Sequence, residues 1–170
     1  MNAIVSTLAI TSIQGLVFGV LCLPVCLWVA YTDLTEMRIR NAAVTALLAI
    51  FVLAGPFLLP QGEYLWRYVH FAVALVAGFL LSTLGVVGAG DAKFAAAMAP
   101  FVARTDLLDV LILFAALFVV TFGLHRLIRR VPPIRTRTPH WKSWSEAKDF
   151  PMGVTLAATQ LAYLGLAAAG

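Results

Sequence analysis

Five apolar runs, at residues 8–31, 42–59, 68–87, 107–124 and 153–169, leave this chain little choice of fold. Each approaches the roughly 20 residues that a helix needs to cross a bilayer, and in hydrocarbon a lone segment satisfies its own backbone only as a helix. A soluble core cannot absorb them, because 62% of the 170 residues are hydrophobic, 12% are charged and the mean hydropathy is +0.94. The same figures exclude disorder, and there is no internal repeat, only an alanine-rich character that suits close helix packing. A sixth apolar segment, 92–103, covers only about 18 Å at about 1.5 Å per residue, short of a hydrocarbon core near ~30 Å. The expectation is an all-α, polytopic membrane helix bundle of about six transmembrane segments, the fourth short, forming a single membrane-embedded domain over residues 1–170.

Lysine and arginine set the orientation. With six crossings, Arg38, Arg40, Lys93, Arg126, Arg129, Arg130, Arg135, Arg137, Lys142 and Lys148 fall on one side, and only Arg67 and Arg104 on the other. Under the positive-inside rule the first side is cytosolic, which puts the N- and C-termini outside. No positive charge precedes the first apolar run, so residues 2–14 do not read as a cleavable signal peptide. The basic loop at 126–150 is then cytosolic. Pro132 and Pro133 are expected to break any helix there, and Trp141 and Trp144 suit the headgroup layer, so a bilayer with anionic headgroups is its expected partner. A sequence pI near 9.4 also raises nucleic-acid binding. The positive excess is confined to membrane-flanking loops without a recognition motif, and no nucleic-acid partner is expected.

Two aspartates carry the chemistry. Asp33 closes the first apolar run and begins the polar bridge to the second, while Asp91 ends the tetrad Gly88-Ala89-Gly90-Asp91. If Arg104 marks the outer interface, Asp91 lies thirteen residues or roughly 20 Å below it, about 10 Å inside the inner leaflet. Carboxylates near hydrocarbon are costly and face a protein interior, and two forced close together share a proton, as in the water-activating pair of aspartic proteases. Gly88 and Gly90 remove side-chain bulk, so the chain turns sharply beside the acid. Plainer readings stand beside these: Asp91 as the N-cap of a helix starting at Ala92, and Asp33 as a solvated charge ion-paired to Arg38 or Arg40.

Other polar groups read as structural. Cys22 and Cys26 lie one turn apart in an apolar run, a spacing that suits small core residues and not a disulfide. His70 and His125 sit near opposite ends of their spans, too far apart in depth to share a metal. Asp109 is expected to cap its helix or pair with Arg104, and Gln14 and Gln160 to hydrogen-bond between helices.

With these residues the chain resembles the type IV prepilin peptidases, particularly the short form of tight-adherence (Flp) pilus systems. These are G-x-G-D aspartic proteases, a motif shared with archaeal preflagellin peptidases and presenilin. Three matches occur in order: Asp33, followed seven and eight residues later by Arg40-Asn41 where the family has Pro-Asn or Pro-Asp; Gly88-Ala89-Gly90-Asp91 with Lys93 after it; and Phe150-Pro151-Met152-Gly153-Val154 where the family has a P-aromatic-G pattern entering the last span. Arg40 and Met152 depart from the pattern, though neither position supplies a carboxylate.

The resemblance implies a membrane-embedded peptidase that removes the cytosolic leader from pilin precursors at the bacterial inner membrane, with Asp33 and Asp91 catalytic. Gly88, Gly90, Lys93, Asn41, Pro151 and Gly153 would support them. It implies no metal and no cofactor. A basic leader would favour Glu36, Glu146 and Asp149 as contacts. Larger members carry a cytosolic insert with paired C-x-x-C motifs and also N-methylate the new terminus; the lack of such motifs here resembles the cleavage-only form. Two other classes remain open, a small Asp-dependent proton-coupled transporter and a catalytically silent pilus-assembly protein.

Overall fold

The computed structural model describes residues 8–145 and 150–170, and the regular elements among them are all helices. In chain order these are α1 (Ser12–Glu36), α2 (Asn41–Leu58), α3 (Gln61–Thr83), α4 (Ala89–Met98), α5 (Leu107–Ile128), α6 (Pro132–Arg137) and α7 (Met152–Ala169), with short 3₁₀ turns at Ala99–Phe101, Arg104–Asp106 and Lys142–Trp144. Five of them, α1, α2, α3, α5 and α7, are long and apolar enough to cross a membrane. As its apolar length requires, the ten-residue α4 is shorter than any of these five, and the chain forms a polytopic helical bundle.

A capping box starts α1: the Gln14 N–H donates to Thr11 Oγ1 (3.3 Å) and the Thr11 N–H to Gln14 Oε1 (3.0 Å). The Gln14 amide also reaches the Leu58 carbonyl at 2.8 Å, the inter-helix bond its sequence position suggested. At its other end α1 runs five residues past the apolar stretch. Asp33 is therefore part of its last turns and does not start a polar bridge. The turn closes on Met37, whose N–H bonds the Asp33 carbonyl at 2.9 Å in a left-handed conformation (φ 53).

Small residues set the packing. A Cβ on Gly15 would stand 2.7 Å from the Leu164 carbonyl and the Ala168 nitrogen, so α1 and α7 touch backbone to backbone. Gly78 of α3 does the same for α4, where a Cβ would meet that of Ala92 at 3.0 Å. Between α2, α3 and α7, α4 buries Ala92, Phe94, Ala96, Ala97 and Met98. Beyond its end Phe18, Phe51 and Phe101 fill the bundle, with ring centroids 5.1 to 6.2 Å apart. The helix α5 joins α7 through the Thr121–Thr155 hydroxyl pair (2.6 Å) and turns Leu108 and Val119 outward, both about two-thirds exposed, as a lipid-facing helix does.

The irregular link after α4 is largely buried in the bundle, so its backbone groups need partners. Arg67 Nη1 donates to the Pro100 carbonyl (3.0 Å), His70 Nδ1 lies 3.2 Å from the Val102 carbonyl, and the Ala103 N–H donates to the Tyr163 hydroxyl (3.2 Å). This corrects the reading of Arg67 as an outer-loop charge. The third span begins at Gln61, not 68, and Arg67 lies inside it at 1% exposure, paired with Glu63. Three further expectations change. Pro132 and Pro133 start a short helix instead of breaking one, since proline at the first helical positions loses no internal bond. Trp144 is buried, stacked between Trp141 and His125. Asp109 lies in the first turn of α5, but Asp106 holds the N-cap position.

Candidate active site

Asp33 and Asp91, 58 residues apart in sequence, meet at one end of the bundle. Asp33, only 5% exposed, points from the last turns of α1 at the start of α7. Its Oδ2 accepts the Gly153 N–H at 2.6 Å, with the Val154 N–H beside it. An acid from α1 thus satisfies the free donors that open α7, where Pro151 occupies the N-cap position and supplies no side-chain oxygen. Gly153 is obligatory in this arrangement, since a Cβ there would lie 2.8 Å from Asp33 Oδ2.

Asp91 occupies the first turn of α4. The helix starts at Ala89, with Gly88 as its N-cap, so Asp91 is not the capping residue expected from sequence. Its carboxylate folds back over Gly88, where a Cβ would come within 2.6 Å of Oδ2. A Cβ on Gly90 would touch Ile39 at 3.4 Å, and one on Gly153 would meet the same isoleucine at 3.0 Å. Ile39 is therefore the spacer between the two acidic turns. Sequence reasoning missed it, although an apolar residue flanked by Arg38 and Arg40 was the available signal.

The two carboxylates are within electrostatic reach of each other. Among the described residues neither has an ion-pair partner: Arg40 turns to Glu36 at 2.6 Å, and Lys93 Nζ stands 3.5 Å from Asn41 Oδ1. Asp33 is accordingly buried and held by backbone, not solvated and paired to Arg38 or Arg40. Like charges this close, with no cation between them, favour one shared proton. Lys93 and Asn41 link the first turns of α4 and α2 at the rim, and Glu36 is engaged by Arg40. Glu146 and Asp149 lie outside the described residues.

An apolar groove of about 690 Å³ runs from Asp91 along α4 to Arg104, walled by α3, α5 and α7. Val73, Ala77, Gly78, Ala95, Val110 and Leu156 are among its lining residues. One end of the groove carries Asp91, the other Arg104 and His70, and the walls between are mostly apolar.

A multi-span helical bundle with two carboxylates at one end, neither ion-paired among the described residues, and an apolar groove reaching one of them, Asp91, has the form of a membrane-embedded hydrolase. The profile of the type IV leader peptidase family matches residues 20–124, and the chain belongs to that family, whose members are peptidases. The match includes both aspartates and the Gly88–Gly90 turn. No curated protein and no solved structure matches the chain.

Proposed function

We propose that this protein is a membrane aspartic endopeptidase that removes the cytosolic leader from prepilin-type precursors, working at the inner face of the bacterial plasma membrane. The observation that carries this reading is the meeting of Asp33 and Asp91 at one end of the bundle, buried to half-buried and, among the described residues, with no ion-pair partner for either. The ionised carboxylate takes a proton from water as its oxygen adds to the scissile carbonyl, and the protonated one gives its proton to the carbonyl oxygen. Collapse of the adduct returns a proton to the leaving amine. The groove suits the apolar helix of such a precursor, and its acidic end suits the peptide just before that helix.

Orientation rests on charge. The end bearing Asp33 and Asp91 also bears Arg38, Arg40, Lys93 and the arginines after α5, which supports a cytosolic site with both termini outside. Only residues 37–40 join α1 to α2, so there is no room there for a cysteine-paired insert, in keeping with the short tight-adherence type. Nothing in the fold adds support to the transporter or silent assembly readings. The test is purified protein in detergent mixed with a prepilin. Leader release that disappears in both Asp33→Asn and Asp91→Asn is expected, and undiminished release by either variant would refute the mechanism.

A further inference from the structure

The C-terminal end of α5 and the segment after it enclose a second cavity, of about 830 Å³, on the Asp33 side of the bundle. Its wall carries Arg126, Arg129 and Arg130 from the end of α5, Arg135 from α6, and Trp144. Arg129, Arg130 and Arg135 bring three like charges to one concavity, where they repel each other, and the roughly half unit of negative charge at a helix C-terminus does not balance them. Among the described residues the ion pairs are Arg40 with Glu36 and Arg67 with Glu63, so no described carboxylate lies within ion-pair distance of Arg129, Arg130 or Arg135. Guanidiniums brought together from two elements match the paired oxygens of a phosphate, and the volume is that of a small-ligand pocket. The site also lies where α5 leaves its apolar run, with the partly exposed Trp141 indole, placed as at a headgroup layer, stacked on the buried Trp144 (5.4 Å).

We infer that this pocket binds the phosphate of an anionic lipid headgroup from the leaflet on the Asp33 side. The assignment does not depend on the peptidase reading. It does bear on the same end of the molecule: Trp144 stacks on His125 (5.2 Å), His125 meets Phe150 edge-on (5.8 Å), and Phe150 precedes the Pro151–Gly153 turn that holds Asp33.

Native mass spectrometry of the full-length protein in detergent, titrated with phosphatidylglycerol, phosphatidylcholine or inorganic phosphate, tests it. The expected result is phosphatidylglycerol retained about tenfold more tightly than phosphatidylcholine, with R129Q/R135Q weakening it roughly thirtyfold. The charge-conserving R129K/R135K is the sharper variant: loss of the planar fork should cost about fivefold, while R137K, on the same short helix but outside the pocket wall, changes nothing. If the double variants fail to fold, R135K alone, at an exposed position, should still show about a twofold to threefold loss. Equal binding by wild type and both lysine variants would mean diffuse surface attraction and overturn the pocket. Inorganic phosphate binding as tightly as the lipid, with the same arginine dependence, would overturn the lipid assignment in favour of a soluble phosphate.

Discussion

The bundle buries an aspartate at each end, and the two are treated oppositely. At the end away from Asp33, Asp106 is saturated: the Ala9 N–H donates to both its oxygens (3.0 and 2.9 Å), the Tyr163 hydroxyl to one (2.8 Å), and Thr105 adds a longer contact of 3.2 Å. At the other end Asp33 has backbone donors from one turn of α7 and faces a second carboxylate. Burial is similar, 1% against 5% exposure, so burial does not separate the roles. What separates them is spare bonding capacity. A carboxylate whose lone pairs are all used is a structural pin, and one left with free lone pairs beside a like charge is available for proton transfer.

This contrast can be broken most directly by neutralising each acid in turn. Asp33→Asn and Asp91→Asn should lower precursor cleavage by roughly 10³-fold while the thermal transition barely moves, because an asparagine oxygen can still accept the Gly153 N–H. Asp106→Asn should do the reverse. Its amide NH₂ would confront the Ala9 N–H, at a cost of about 3 kcal/mol in stability measured by denaturant or heat, with cleavage per folded molecule retained. Cleavage lost in the Asp106 variant at unchanged stability would erase the distinction.

Steric variants sharpen it next. Gly153→Ala puts a methyl 2.8 Å from Asp33 Oδ2, and Gly88→Ala puts one 2.6 Å from Asp91 Oδ2. Displacing a reacting group by about 1 Å is worth about 10²-fold in kcat, which is the loss expected for each. At the Asp106 end Arg67→Met strands the Pro100 carbonyl and Glu63, and a melting curve should report a loss of about 2 kcal/mol with a smaller effect on kcat.

The sequence shows the end bearing Asp33 far better than the end bearing Asp106, for a physical reason. Asp33, Gly88, Gly90, Asp91, Pro151 and Gly153 are conspicuous because charge and glycine interrupt apolar runs, and their meeting follows once helix directions alternate. Helix ends were misjudged wherever a polar residue lies inside the helix. Hydropathy stops at Tyr31 although α1 continues to Glu36, and it starts the third span at 68 although Arg67 is buried within it. A charge neutralised by tertiary contacts looks the same in sequence as one in water, so Arg67 and Asp106 gave no sign of their burial. Ile39 was hidden for the opposite reason, as an apolar residue whose two glycine neighbours come from remote segments.

The smallest predicted effect is the most demanding test of whether the two ends are separate. Tyr163 and Gly153 share α7, ten residues or about 15 Å apart along the helix axis. Tyr163→Phe removes one donor to Asp106 and leaves the Ala103 N–H unpaired, while the Ala9 bonds remain. A single hydrogen bond of this kind is worth about 1 kcal/mol, and in membrane bundles the average is nearer ~0.6. The stability loss should fall in that range, and kcat should stay within about twofold, because the first turn of α7 is fixed locally by Asp33 and Ile39 and not by the far end of the helix. If the phenylalanine variant instead lost cleavage on the scale of Gly153→Ala, α7 would be moving as a rigid lever between the two ends. The Asp106 cluster would then position the Asp33 end, and its saturated hydrogen bonding would belong to the catalytic apparatus.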